Sequence, residues 1–279
     1  MNTIDVIMHL CRISTCFPKI LRMLPVLILF ESCEELITVK LNSEIPKVVI
    51  EGYITEGLNP VMVKISKSQA FFDQSNFTPV KRAVVQLEYG SKKEKLIEKG
   101  GGYYSAARIL GIAGTKYTLK VTSAGENFAA TVELPHAVPI DTVYFKPGIF
   151  WTDSLNVFVG FSDPINTDNF FRIKLYRNRR VAVNDYYLLT DAFSDGDKIV
   201  VPVYYRFFAP GDTVVVELFN LERITWRYFK GLSESIQQGV NSQAPGNPPS
   251  NFSGGALGIF GAWGSTECRV IVPGKQMKK

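Results

Sequence analysis

The chain has 279 residues, with 31 basic and 26 acidic side chains, a formal net charge of +5 and 46% hydrophobic residues. That length and apolar content fill one large core or two smaller ones. The charge is mild and spread along the chain, so it gives no nucleic-acid-binding footprint, and nucleic acid is excluded as an expected partner.

A leader comes first. Arg12, Lys19 and Arg22 stand ahead of the apolar run "LPVLILF" (24–30), followed by Glu31, Ser32 and Cys33. The run is far short of the about 20 apolar residues that span a bilayer. A basic stretch before a short apolar segment is the layout of a secretory signal. Ser32, small and immediately before Cys33, is what a lipoprotein signal peptidase requires. The expectation is a signal peptide over 1–32, lipidation of Cys33, and a lipid-anchored tether over 33–43. Acyl chains on Cys33 bury roughly 0.8 kcal/mol per methylene in the membrane. Phe30 and Glu31 depart from the usual lipobox, and a start at Met8 in place of Met1 shortens the leader to 25 residues. The competing account is a cytosolic N-terminal helix with a buried cysteine, but Pro18 and Pro25 would break it. Cleavage removes Cys11 and Cys16 as well, leaving Cys268 without a disulfide partner, as a small residue on an apolar strand.

Strands follow nearly everywhere. "KVVIEGYI" (47–54) and "VMVKISK" (61–67) put Val48, Ile50 and Ile54, then Val61, Val63 and Ile65, on one face each. "AVVQLEY" (83–89) and "EKLIEK" (94–99) are joined by a Gly90-Ser91 turn, and the triple glycine 100–102 turns into "YYSA". "KYTLKVTS" (116–123) alternates Tyr117, Leu119 and Val121 inward; past a Gly125 turn, "NFAATVEL" does the same with Phe128, Ala130, Val132 and Leu134. Seven short strands between Gly/Asn/Pro turns predict an immunoglobulin-like β-sandwich over 44–135. The prolines of "LPHAVPID" (134–141) mark a domain boundary, and a second β-rich domain is expected over 139–274.

That second part reads as strands "DTVYF", "LNVFVGF", "NFFRIKLY", "DYYLLT", "KIVVPVYYRFF" and "DTVVVELF". The one helix expected is 221–237, where Leu221, Ile224, Tyr228, Leu232 and Ile236 recur at three and four residues, with Asn220 as its N-cap. A loop rich in proline and glycine, "NPPSNFSGGALGIFGAWGS", then precedes a last strand, "ECRVIVP". The fold class predicted is all-β: two β-sandwich domains, the second with one α-helix near the C-terminus.

The cysteine with its two acids, "VVIEGYIT", "VKRAVVQLEYG", "YTLKVTSAGENFAATVELP", "FSDPINTDNFFRIKLYRN" and "PGDTVVVELFNLERITWRYFKGL" come in a familiar order. Together with "NPPSNFSGGALGIFGAW" they resemble the Bacteroidota lipoproteins grouped as domain of unknown function 4249, from Cys33 to about Pro273. The resemblance implies an outer-membrane lipoprotein, lipid-anchored and surface-exposed, of a kind often encoded beside TonB-dependent transporters. It carries no established catalytic or binding residues. Glu34 and Glu35 resemble the acidic tag that sends such lipoproteins to the cell surface.

Chemistry finds little purchase. His136, within "LPHAVP", has no motif around it, and "NFSGG" around Ser253 lacks the nucleophile elbow. A His/Cys zinc site would need more of both residues. "DAFSDGDK" (Asp191, Asp195, Asp197) and "FSDPINTDN" (Asp163, Asn166, Asp168) offer oxygen ligands but not the spacing of a calcium loop; Asp-Gly between strands reads as a hairpin turn. No catalytic residue, metal or cofactor is expected. "RIKLYRNRR" (172–180) reads as a solvated edge strand guarded by charge. Trp263 and Phe260 in the glycine-rich loop, and Trp151 in "FKPGIFW", are the candidate partner- or ligand-binding residues. The favoured function is a non-catalytic accessory or binding component of a TonB-dependent nutrient uptake system; the alternative is a surface hydrolase acting on glycan or peptide.

Overall fold

Period-two alternation builds the first seven strands, as the sequence leads one to expect. They are β1 (Val48–Thr55), β2 (Gly57–Lys67), β3 (Val84–Tyr89), β4 (Lys92–Gly100), β5 (Tyr103–Gly111), β6 (Lys116–Ser123) and β7 (Glu126–Glu133). The computed structural model describes residues 45–69, 77–147, 155–182, 186–192, 195–203, 208–238 and 247–274; the expected leader, the tether with Cys33, and Trp151 lie outside them. β6 and β7 are joined by Ala124-Gly125, both at positive φ. That two-residue turn matches the right-handed twist of its strands. Ile50, Ile54, Val63 and Ile65 meet Val85, Leu87, Leu119, Val121 and Phe128 in one core. β1-β2-β5 and β3-β6-β7 therefore form two layers, with β4 bonded to both β5 and β3.

The second half repeats the arrangement. β8 (Ile140–Pro147), β9 (Leu155–Ser162) and β13 (Lys198–Val203) make a three-stranded antiparallel sheet. β10 (Phe170–Arg177), β11 (Arg180–Val181), β12 (Tyr187–Thr190) and β14 (Thr213–Leu221) belong to the larger sheet. Val157, Val159 and Phe161 of the small sheet pack on Phe171, Ile173, Leu175, Val214, Val216 and Leu218. The architecture is all-β and sandwich-like, with one helix among the described residues, α1 (Arg223–Gln238), near the C-terminus. Residues Glu44–Lys279 cluster into a single compact unit.

Three local readings change. β10 is bonded to β14 on one side and to β11 and β12 on the other, so "RIKLYRNRR" is not an edge strand. Alternation sets Arg172 and Lys174 on the sheet face opposite Phe171, Ile173 and Leu175, and Arg177 pairs with Asp212. "DAFSDGDK" links β12 to β13, which lie in different sheets, so its Asp-Gly marks a crossover and not a hairpin. The expected glycine-rich loop is mostly strand: β15 runs Leu257–Ile271.

β15 joins the two layered halves. Residues 257–263 pair in parallel with β1, and residues 263–271 pair antiparallel with β14, Trp263 being opposite both Thr55 and Leu221. Its glycines are points of close approach. A Cβ at Gly258, where φ is +96°, would lie 2.1 Å from the Ile50 carbonyl oxygen, and one at Gly264 would lie 2.3 Å from the Ala137 nitrogen. The segment between β7 and β8 thus crosses directly over β15, where Val138 carbonyl oxygen accepts the Thr266 hydroxyl at 2.7 Å. Overfilling so tight a site costs about 1–3 kcal/mol. Gly264→Val is therefore expected to lower the thermal melt clearly, whereas Gly274→Ala, with open space around it, leaves the melt unchanged.

Candidate functional site at the helix and sheet junction

α1 is held at its start by two polar contacts, one half-buried and one buried. Glu222 Oε2 accepts the Ile224 amide at 2.9 Å and the Thr225 amide at 3.3 Å, which makes Glu222 the N-cap. Asn220, expected there, is still in β14, and its Nδ2 donates to the His136 carbonyl oxygen at 3.0 Å. Thr225 is fully buried, and its Oγ1 accepts the Ala262 amide of β15 at 3.0 Å. Gly261 leaves room for that threonine, since a Cβ there would sit 3.0 Å from it.

The buried helix face carries Tyr228 and Phe229, flanked by Ile224 and Leu232. Ile236, expected to continue the stripe, is 60% exposed, because the cluster the helix packs on ends at Leu232. Trp263 is half-buried in this cluster, its ring 4.9 Å from Tyr53, 5.9 Å from Phe219 and 6.4 Å from Phe229. Phe260 is fully buried in the first core and is no surface contact. Alternation explains the split. Positions 260 and 263 lie on opposite faces of one strand, so the loop that was to expose both exposes neither fully.

Arg172 reaches into the same cluster. Its guanidinium lies 4.5 Å from the Tyr186 ring and 4.7 Å from the Phe229 ring. Burial pushes its pKa down, with the neighbouring tyrosines acting in the opposite sense. Stacking on rings takes the place of a carboxylate partner for much of this cation's surface. Burial, then Tyr228 and Glu51, pushes Tyr53 up, and burial first pushes Tyr228 up to about 12. Further along the same sheet face, Lys174, Glu217 and Glu267 are direct cross-strand neighbours. The Tyr176 hydroxyl donates to Glu217 Oε2 at 3.0 Å. Burial first, and then Glu267, raises the Glu217 pKa, while Tyr176, Lys174 and Arg172 oppose the shift.

The outward helix face borders a groove of about 580 Å³. Arg223, Arg227, Lys230 and Glu234 line it along the helix, over a floor of Phe170 and Trp226, with Pro249 opposite. The two rings are 5.5 Å apart. Arg223 sits 5.3 Å over Phe170 and Lys230 5.3 Å over Trp226. Arg223 Nη2 also donates to Asp168 Oδ2 at 2.6 Å, in a largely exposed pair. Among the described residues Arg227 and Lys230 have no carboxylate partner. The sequence reading missed these cations because it followed only the buried stripe. The signal was present: 223, 227 and 230 stand at i, i+4 and i+7 of the same helix.

The acidic loops come together, but around backbone. Asp195 Oδ1 accepts the Asn166 amide at 2.8 Å and Asp163 Oδ2 the Gly196 amide at 3.3 Å. Asp191, buried, accepts the Asn169 amide. Asp168 is taken by Arg223. His136 is exposed, and Cys268 is a half-buried free thiol.

Fold and site together define an all-β sandwich protein with a basic, aromatic-floored groove beside its one described helix. The chain belongs to the family described as domain of unknown function (DUF4249), which matches residues 34–269. No curated protein matches the sequence. Among solved structures, it is similar to the crystal structure of red sea bream transglutaminase, at 10% identity and a TM-score of 0.25. That match covers 82% of this chain and 31% of the transglutaminase chain.

Glu217 gives a pH-dependent test. A carboxyl whose folded pKa is raised binds its proton more tightly when folded, so its charged form lowers stability as pH climbs above the ordinary value of 4.5. Glu217→Gln, which still accepts the Tyr176 hydroxyl, is expected to raise the melting temperature at pH 7 to 8. The gain should shrink as pH falls toward 4.5. A gain that is the same at both ends would show that burial of charge is not its source.

Proposed function

We propose that this protein is a lipid-anchored outer-membrane lipoprotein, exposed at the cell surface and acting as a non-catalytic binding or accessory component of a TonB-dependent nutrient uptake system. The observation that carries the reading is the groove. Exposed cations fixed over an aromatic floor, on a helix locked to a rigid sheet, are what a partner surface uses for recognition. Membership of the family supports it, and so does the lipobox-like sequence ending at Cys33.

A surface hydrolase is the competing reading, and one observation favours it. Glu217 and Glu267 face each other across β14 and β15, with Glu217 biased toward its protonated form. Two neighbouring carboxyl groups are what glycoside hydrolysis employs.

Purification of the TonB-dependent transporter from detergent-solubilised membranes is expected to bring the wild-type chain with it. Cys33→Ala should leave a heavier, uncleaved precursor that takes up no fatty-acid probe and is lost from that preparation. Label on the Cys33→Ala chain would remove the anchor from the reading. Release of reducing ends from a cell-surface glycan by the wild type, abolished in Glu217→Gln, would replace the accessory role with the hydrolytic one.

A further inference from the structure

We infer that the groove beside α1 receives an extended acidic peptide segment of a partner protein, its carboxylates meeting Arg223, Arg227 and Lys230. The inference rests on the accessory-component reading and names the chemistry of the partner.

The charge pattern comes first. Arg223 and Arg227 are four residues apart, and Arg227 and Lys230 three, so each cation faces a like charge along the helix. Such pairs weaken a helix slightly. Glu234, at the C-terminal end of the row, is the one acid lining the groove among the described residues, and Asp168 meets only Arg223 of the three cations. An exposed ion pair of that kind is readily exchanged for an incoming carboxylate.

Position comes second. Arg223 and Lys230 carry their charged groups over the Phe170 and Trp226 rings, so the cations are held in place along the groove. The ring faces are occupied by the protein's own cations, which leaves them unsuited to stacking on a sugar. An anion bound edge-on to the cations fits them, and the guanidinium fork matches a carboxylate.

Spacing comes third. Four and three residues of helix place the cations roughly 6 and 4.5 Å apart along the axis. Alternate side chains of an extended peptide lie about 6.7 Å apart on one face. Flexible arginine and lysine side chains absorb the difference. Pro249, half-buried, offers apolar surface to a side chain between two acids. Glu234 repels a carboxylate and so marks where the acidic run must stop.

The probe is a fluorescein-labelled peptide, Gly-Glu-Leu-Glu-Leu-Glu-Gly, titrated with the full chain and followed by anisotropy. Arg227 and Lys230 are exposed, so Arg227→Glu with Lys230→Glu is expected to keep the wild-type melt. It should weaken binding by at least about tenfold, and added salt should weaken the wild-type complex. Glu234→Lys is expected to tighten binding by about threefold through the added cation. Unchanged affinity in either variant overturns the proposal. So does competition by tri-galacturonate or inorganic tripolyphosphate at concentrations equal to or below those of unlabelled peptide, which would make the groove a glycan or general anion site. If the transporter still comes with the Arg227→Glu, Lys230→Glu chain, the groove assignment falls and the accessory role stands. If the wild type binds the peptide but brings no transporter, the groove stands and the uptake role falls.

Discussion

Strand β15 is hydrogen-bonded to β1 along its first half and to β14 along its second, and the rest of the molecule is arranged about that one ladder. Its alternation serves three clusters at once. Phe260 and Ala262 enter the first core, Val270 packs on the second, and Ile259 and Trp263 face the helix. Backbone groups buried at this depth must be paired, so the strand leaves little freedom to the elements it touches. Three glycines make the arrangement possible. At positions 258, 261 and 264 a side chain would meet β1, Thr225 or the segment after β7.

The helix depends on the same strand. Thr225 takes an amide of β15, and Glu222 caps the first turn from a half-buried position. Together they set the helix rotation, with Tyr228 and Phe229 inward and the cations at 223, 227 and 230 outward. Burial of the first pair supplies apolar contact of the order of 2 kcal/mol per ring. The exposed row contributes nothing comparable to folding. Its aromatic floor comes partly from β10 through Phe170, so the groove is a product of helix and sheet together.

Much of this was legible along the chain. All seven strands of the first half were expected, though β2 and β5 are longer than read, and in β1, β2, β6 and β7 the residues expected inward are buried or packed on the first core. The helix starts two residues beyond the expected 221, because β14 continues to Leu221 before the chain turns. The misreadings share a cause. Glycine in "GGALGIFGAWG" reads as loop when only one strand is considered, yet it permits two backbones to meet. Phe260 was grouped with Trp263 for the same reason, since a loop has no faces and a strand has two. The basic run 172–180 looked like an edge because no local pattern says how many neighbours a strand has.

By itself the sequence determined the class of fold, most strand positions in the first half, the inward faces of its clearly alternating strands and the existence of one amphipathic helix. These follow from periods of two and 3.6, which depend only on near neighbours in the chain. Tertiary structure alone decided that β15 pairs with β1 from some two hundred residues away, that Trp263 lies in an aromatic cluster, and that Phe170 forms the floor under Arg223. Pairing of distant edges is selected by the burial and hydrogen bonding of both partners at once. One stretch of sequence holds only half of that information.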